Sequence, residues 1–306
     1  MIRLLRSGLK RIVPRAWLAF FRVMRGLPRR VWRLERQVTM LAAERARTRH
    51  AGLLAEASDP VTAFARNELQ VYAQQGEDGL LLALLEETGA PHRRFVEFGI
   101  GDGRECNTAL LSIHFGWRGL LMEGDPERAA AAGAYYARVL GPRAGDVRIR
   151  HTMVTSGNIN QLLAQHLDAP EVDVLSVDID GVDYWVWKAI TAIRPHIVVA
   201  EYNAVYGPSQ RITVPYAPGF QRWAAHPGGL YYGASLAALA ALGEDKGYRF
   251  VGCERHGVNA FFVRTDLPGP PAVRPEDAYR PQDDFILGRI DETRFSEIAH
   301  LPFERV

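Results

Sequence analysis

The sequence predicts an α/β fold built on a doubly wound, mostly parallel, Rossmann-like sheet. Short apolar runs, as in the buried strands of parallel sheets, alternate with segments of helical pattern over residues 95–246. Three glycines, Gly99, Gly101 and Gly103, follow the first apolar run, and an acid, Glu123, ends the second. A strand, a glycine-rich turn, a helix, a strand and an acid in this order form the nucleotide-binding half of such a sheet.

The same patterns place the other elements along the chain. The predicted strands are 95–98, 119–122, 147–154, 172–177, 195–200, 248–253 and 259–264, and the last two are expected to be antiparallel. The predicted helices include 107–115, 126–141, 184–193 and 234–246. Residues 204–230 show neither the helical nor the strand periodicity, and loops of this length are usually functional lids or disordered.

Composition divides the chain into three predicted regions. Residues 1–57 are predicted to form a basic amphipathic helical extension, and residues 58–267 are predicted to form the α/β domain. Residues 268–306 are predicted to form a proline-rich C-terminal extension with a short helix within 283–300. Residues 1–50 hold 14 Arg or Lys against two acids, so their net charge is +12. With interleaved Trp and Phe, this segment favours an anionic membrane surface as partner. The alternative is a helix that packs on its own domain or on a sister subunit of a homo-oligomer.

Charge and cysteine content restrict the compartment and the partners. Subtracting residues 1–50 from the 37 basic and 35 acidic residues of the chain leaves a net charge of −10, which disfavours nucleic acid as a partner. No apolar run reaches the ~20 residues of a membrane-spanning helix, and arginines interrupt every candidate secretory signal. Two cysteines, Cys106 and Cys253, suit a reducing compartment. We therefore expect a cytoplasmic protein, held at the inner face of the cell membrane where the basic arm binds lipid.

The glycine-rich turn has the spacing of a cofactor site. Glycine adopts backbone angles that other residues resist, and it lets a ligand approach the backbone closely. Arg104 stands where a dinucleotide fingerprint has its third glycine, so the turn does not match that fingerprint. Glu123 lies about 20 positions beyond the turn, which suits an acid that binds ribose hydroxyls. The alternative is a tight turn that needs small residues and binds nothing.

The pattern E-x-G-x-G-x-G over residues 97–103 resembles motif I of class I S-adenosylmethionine methyltransferases. This resemblance implies a methyltransferase sheet and S-adenosylmethionine as cofactor. It also implies which residues bind that cofactor, namely Glu97, Gly99, Gly101, Gly103 and Glu123.

Polar side chains follow two neighbouring predicted strands. They are Asp178, Asp180 and Asp183 after the strand at 172–177, and Glu201 and Asn203 after the strand at 195–200. In an open α/β sheet the ligand crevice lies beyond the carboxyl ends of the strands, so these side chains are expected to converge there. Carboxylates at such distances repel one another unless a cation neutralises them, and Mg²⁺ typically binds one or two carboxylates together with waters and substrate oxygens.

These positions are similar to those of metal-dependent O-methyltransferases. The resemblance implies Asp178, Glu201 and Asn203 as ligands of Mg²⁺ or Mn²⁺, and Asp180 as general base beside a catalytic Asp178. Tyr202 separates Glu201 from Asn203, which departs from the pattern at the third ligand. In metal-free relatives the position of Asp178 lines the cofactor site instead. Asp183 has an alternative role as the cap of the following helix.

Over residues 72–267 the chain resembles FkbM-type methyltransferases. The segments that carry this resemblance are QGED (75–78), FVEFG (95–99), NIN (158–160), SVDIDGVDYWVW (176–187), EYN (201–203), YYGASL (231–236) and GVNAFFV (257–263). The resemblance implies an S-adenosylmethionine-dependent O-methyltransferase that acts on a hydroxyl of a glycan or a related natural product. The alternative is a non-catalytic, membrane-peripheral or glycan-binding scaffold that has kept the fold.

Overall fold

The computed structural model describes residues 59–284 and 287–306. The extension predicted for residues 1–57, with its membrane and subunit contacts, lies outside the described residues. Among the helices of the described part, none is both long enough and apolar enough to cross a bilayer.

A seven-stranded sheet forms the centre of the described chain. The described residues form eleven strands, seven of which belong to this sheet. They are β1 (Arg94–Phe98), β2 (Arg118–Glu123), β3 (Val147–His151), β4 (Val174–Val177), β5 (Ile197–Glu201), β6 (Ile212–Thr213), β7 (Tyr248–Cys253), β8 (Asn259–Arg264), β9 (Gln282–Asp284), β10 (Gly288–Ile290) and β11 (Glu304–Arg305). The order in the large sheet is β3-β2-β1-β4-β5-β8-β7. Strands β1 to β5 are parallel, and β8 pairs antiparallel with both β5 and β7. The predicted doubly wound, mostly parallel Rossmann-like sheet with antiparallel pairing near the C-terminus is therefore confirmed.

Helices cover both faces of this sheet. They are α1 (Pro60–Ala65), α2 (Glu77–Thr88), α3 (Ala109–Ile113), α4 (Pro126–Leu140), α5 (Ile159–His166), α6 (Asp183–Ala189), α7 (Arg222–Ala225), α8 (Leu236–Asp245) and α9 (Pro275–Ala278). Local sequence fixes several starts. Asp125 accepts hydrogen bonds from the amides of Glu127 and Arg128 ahead of α4, and proline occupies the first helical position.

The two faces of the sheet bury different side chains of each strand. In β1, Val96 and Phe98 enter one apolar cluster, while Phe95 enters the other. Each of these three side chains is fully buried. Alternation of this kind follows from the two-residue period of a strand. Burial on both faces explains why the predicted strands contain almost continuous apolar runs.

Two segments differ from the sequence prediction. Residues 204–230 are not structureless, because β6 pairs with β11 and a third apolar cluster, which includes Val205, Tyr206 and Ile298, joins this segment to the C-terminal residues. The helix predicted within 283–300 is wrong. The β9–β10 hairpin and the 3₁₀ helix Glu292–Glu297 lie there instead. The positive φ of Gly288 (+70°) interrupts any helix in this region.

Candidate active site

A cleft lies beyond the carboxyl ends of β1, β2, β3 and β4. It consists of two cavities, of about 180 Å³ and about 170 Å³, whose linings share Gly99, Arg128, Asp178 and Asp180. Together they lie at the lower end of the roughly 300–1,000 Å³ that small-molecule sites occupy. The position agrees with the rule that ligands of open α/β sheets bind outside the carboxyl ends of the strands.

The three glycines of the turn have three different roles. A Cβ on Gly99 would lie 1.5 Å from the carbonyl oxygen of Asp178, so glycine is required for the loops after β1 and β4 to approach each other. A Cβ on Gly101 would meet nothing within 4 Å, because this residue borders the cleft. A Cβ on Gly103 would lie 3.0 Å from both Ala132 and Tyr136 of α4. Gly103 thus packs against a helix, and the cofactor contact predicted for it stays a prediction.

Glu123 stands at the end of β2 with its carboxylate held by the backbone. The amide of Gly101 donates to Oε2 at 2.7 Å, and the amide of Asp125 donates to Oε1 at 2.9 Å. Each carboxylate oxygen can accept two hydrogen bonds and here accepts one from the backbone, so each retains one lone pair. A fixed carboxylate with free lone pairs at the cleft suits the binding of vicinal hydroxyls, as predicted for this acid.

Glu97 is buried below the same turn. Its Oε1 accepts from the amide of Asn107 at 2.8 Å, and its Oε2 accepts from the amide of Thr108 at 3.0 Å and from the Thr108 hydroxyl at 2.5 Å. Burial raises the pKa of Glu97, and these hydrogen bonds oppose the rise. The side chain lines the cleft, but both of its oxygens fix the turn that leads into α3. These bonds also explain why α3 begins at residue 109 and not at residue 107.

Residues 75–78 contribute to the resemblance to FkbM-type methyltransferases, but the sequence alone predicts no role for them. Asp78 Oδ2 accepts hydrogen bonds from the consecutive amides of Val71, Tyr72 and Ala73 at 2.6–2.9 Å. Burial, the largest influence, raises the pKa of Asp78 to about 7. Glu77 accepts from Asn259 Nδ2 at 2.9 Å and lines the cleft. Residues 75–78 therefore shape the wall of the cleft beside the glycine-rich turn.

Asp178 and Glu201 bring two carboxyl groups into hydrogen-bonding contact at the ends of β4 and β5. Burial raises the pKa of both acids well above their usual values, and repulsion by neighbouring carboxylates adds to the rise. Glu201 Oε2 is buried without an N–H or O–H donor among the described residues. The raised pKa values favour a proton shared between the two acids, which would supply that donor.

Asp183 stabilises the loop that joins Asp178 to α6. Its Oδ1 accepts from the amide of Ile179 at 2.7 Å, and its Oδ2 accepts from the amide of Gly181 at 3.0 Å. Burial raises the pKa of Asp183 to about 6. It is the first residue of α6, and it stabilises the loop that carries Asp180. The predicted helix cap is therefore wrong, because the carboxylate accepts from amides of the preceding loop and not from amides of α6.

Asp180 lines both cavities and is 61% exposed. Its φ of +53° is rare for a residue other than glycine, and strained residues of this kind cluster at functional sites. Its Oδ1 accepts a hydrogen bond from Arg222 Nη1 at 2.8 Å. The other carboxylate oxygen remains available at the mouth of the cleft.

Arg222 is the main site residue that sequence reasoning missed. Its guanidinium is 10% exposed, donates through Nε to the Gly229 carbonyl at 2.6 Å, and stacks 3.7 Å from the centre of the Tyr232 ring. The attraction of Glu201 and Asp180 contributes to its raised pKa. A permanent positive charge therefore lies among the carboxylates. The sequence alone predicts only a divalent cation as the group that neutralises these carboxylates.

Asn203, the third member of the predicted metal set Asp178, Glu201 and Asn203, has structural partners of its own. Asn203 is fully buried, its Oδ1 accepts from the amide of Val205 at 3.0 Å, and its Nδ2 donates to the carbonyls of Leu230 and Tyr232. Its side chain fastens the 3₁₀ turn after β5 to the segment before α8. These bonds give Asn203 a structural role, and its predicted role as third metal ligand stays a prediction.

Comparisons with known proteins give only remote likenesses. No family model matches the sequence, and no curated protein matches it. Solved structures that align include a methyltransferase from Geobacter sulfurreducens bound to S-adenosyl-L-homocysteine (16% identity, TM-score 0.38, 63% of this chain and 72% of that chain). Another is from Thiobacillus denitrificans, with the same ligand (18%, 0.36, 62% and 70%). A third is geranyl diphosphate C-methyltransferase from Streptomyces coelicolor A3(2) with Mg²⁺ (15%, 0.37, 57% and 62%).

These solved structures are S-adenosylmethionine-dependent methyltransferases, and they include a C-methyltransferase. This chain spans less than two thirds of the Streptomyces enzyme. Because identities and TM-scores are low, these likenesses do not show what this chain binds.

Proposed function

We propose that this protein is an S-adenosylmethionine-dependent methyltransferase that transfers a methyl group to a hydroxyl oxygen. One observation carries the proposal. A single cleft joins a turn with free space at Gly101, a backbone-held acid, Glu123, and an exposed carboxylate, Asp180. The first two features suit a nucleoside, and the third suits the removal of a proton.

The cleft fits this cofactor in shape and in charge. The space over Gly101 lets a ligand approach the backbone, and Glu123 accepts hydrogen bonds from ribose hydroxyls. Met153, which is 50% exposed, lines the cavity beyond β3 and offers apolar contact to a base. Asp178 and Asp180 border both cavities, and the exposed carboxylate of Asp180, although paired with Arg222, weakly favours a cationic ligand. When bound, S-adenosylmethionine supplies a methyl group on a positively charged sulfur.

The residues around Asp180 prepare an acceptor hydroxyl for transfer. Asp180 accepts the proton as the oxygen–methyl bond forms, and Arg222 fixes the orientation of its carboxylate. The Asp178–Glu201 pair holds its shared proton in the wall of the cleft and limits the negative charge beside Asp180. A bound S-adenosylmethionine would give its methyl group to the acceptor oxygen and would be left as a neutral thioether, while the hydroxyl proton would pass to Asp180.

The acceptor class is inferred from the segment above the cleft. Phe220 lines the first cavity, and Trp223, on α7 beside Arg222, is 53% exposed. An exposed indole next to polar groups suits a ligand with an apolar face and hydroxyls, as sugars have. We therefore propose a glycan or a related hydroxylated natural product as acceptor. A non-catalytic glycan-binding scaffold is the second candidate, since Trp223 would serve it equally well.

Calorimetry with S-adenosylmethionine tests the cofactor site. The full-length protein is expected to bind the cofactor, and Glu123→Ala is expected to weaken binding by about 1.5–3 kcal/mol, because hydrogen bonds to a charged acceptor are lost. Glu127→Ala is the matched control, since this exposed acid on α4 is absent from the cleft lining. No binding by the parent protein would reject the function. Equal affinity of Glu123→Ala and the parent would reject only the placement of the ribose.

Chelation tests the role of a metal in the active site. We expect turnover to be unchanged in EDTA and unchanged again when Mg²⁺ or Mn²⁺ is added back. The reason is that Arg222 and the shared proton already neutralise the carboxylates, while Asn203 has other partners. Methyl transfer is measured under each condition at a temperature well below unfolding. Loss in EDTA with recovery in Mg²⁺ would show that Asp178 and Glu201 hold a cation after all.

A further inference from the structure

A second cluster of side chains that can bind a metal lies at the amino ends of the strands, opposite the cleft. His92 lies two residues before β1, Asp173 directly precedes β4, and His196 directly precedes β5. These strands are neighbours in the order β1-β4-β5, so their amino ends bring the three residues together. One ligand atom from each residue lies within 4.8 Å of the others.

We propose that His92, Asp173 and His196 form a zinc site that stabilises this edge of the sheet. Two imidazoles and one carboxylate are a donor set that zinc uses, with a water in the fourth position. Imidazole nitrogen favours zinc over Mg²⁺, which prefers oxygen ligands. This assignment does not depend on the proposed methyl transfer.

The buried carboxylate of Asp173 points to a missing partner. Its side chain is 0% exposed, and Oδ1 has no hydrogen-bond partner among the described residues. An unpaired carboxylate oxygen in such a place is costly unless a cation satisfies it. His196 Nδ1 lies 3.6 Å from this oxygen, too far for a good hydrogen bond. That separation is close to the roughly 3.4 Å between two ligands of a tetrahedral zinc ion with bonds of about 2.0–2.1 Å.

The two buried ligands are held by the backbone of the sheet. The amide of Asp173 donates to the carbonyl of Arg94, and its carbonyl accepts from the amide of Ile197, both at 2.9 Å. The carbonyl of His196 accepts from the amide of Arg264 at 3.0 Å. Sites on rigid elements of this kind hold their geometry better than sites on loops.

The outer contacts complete the arrangement. The amide of Arg94 donates to Asp173 Oδ2 at 3.2 Å, which leaves Oδ1 for the metal. The Gly89 carbonyl lies 3.3 Å from His196 Nδ1 and holds the proton of the metal-free ring. Zinc binding would displace that proton, as metal binding to imidazole requires. His92 is exposed and gives the ion a path from solvent.

Zinc titration of the full-length protein, freed of any affinity tag and treated with EDTA, tests the site. Calorimetry is expected to show about one saturable zinc ion per chain, Co²⁺ is expected to give the absorption of a tetrahedral complex, and zinc should raise the melting temperature. His92→Ala and Asp173→Asn are each expected to weaken binding by on the order of 100-fold or more. His300→Ala, an exposed histidine outside the cluster, is the matched control and should bind zinc like the parent.

Absence of saturable binding by the parent protein would overturn the site and leave an ion pair between His196 and Asp173. Binding unchanged in His92→Ala would overturn it equally, and this variant changes only an exposed residue, so its folding is not in question. S-adenosylmethionine affinity, measured on the same samples, should not differ between zinc-free and zinc-loaded protein. A failure of the zinc site is thereby separated from a failure of the proposed function.

Discussion

Asp180→Asn is expected to reduce the rate of methyl transfer by roughly 10²–10⁴-fold, the usual contribution of a general base. Asparagine cannot accept the proton of an acceptor hydroxyl, but its carbonyl oxygen can still accept the hydrogen bond of Arg222. Asparagine also tolerates the positive φ of +53° at this position, so the loop should keep its conformation. Affinity for S-adenosylmethionine should therefore change little while turnover falls.

Single-turnover kinetics with a hydroxylated acceptor measure the effect, and Asp168→Asn supplies the control. Asp168 is also an exposed aspartate paired with an arginine, Arg148, at 2.7 Å, but it does not line the cleft. The control changes the net charge equally and should keep full activity. Turnover of Asp180→Asn close to that of the parent would contradict the role of Asp180 and would move the base to the Asp178–Glu201 pair.

The fold could be predicted because it depends on local patterns. The buried strands of a parallel sheet require apolar residues on both faces, so β1, β2 and β4 are visible as short apolar runs. The turn after β1 requires positive φ angles, which is why glycines occur there. The C-terminal region was predicted incorrectly, since its hairpin and 3₁₀ helix depend on contacts with residues 204–230.

The site was only partly predictable, for a related reason. Residues at the ends of strands reach the cleft by topology alone, so Asp178, Asp180 and Glu201 could be placed from the order of the strands. Arg222 lies 42 positions from its partner Asp180, in a segment without any periodicity. Only the fold of that segment brings the guanidinium to the carboxylates. The partners of Asn203 were equally hidden, because they belong to residues 205, 230 and 232.

Gly101→Val is expected to reduce S-adenosylmethionine affinity by roughly 5- to 150-fold, since overpacking by a single side chain costs about 1–3 kcal/mol. A Cβ at this position has no other protein atom within 4 Å, so the added side chain occupies only the space that a ligand would use. Calorimetry measures affinity, and thermal unfolding measures stability. The amide of residue 101 remains, so its hydrogen bond to Glu123 should persist.

Backbone strain is the competing explanation, and Gly141→Val separates it from steric blocking. Gly141 ends α4, has a φ of +57° against +55° for Gly101, and likewise has nothing within 4 Å of its Cβ position. A left-handed conformation costs a residue with a side chain about 1–2 kcal/mol, and both variants should lose stability on this scale. Only Gly101→Val should lose the cofactor, because Gly141 does not border the cleft. Equal cofactor affinity in the two variants would mean that the ligand does not lie over the glycine-rich turn.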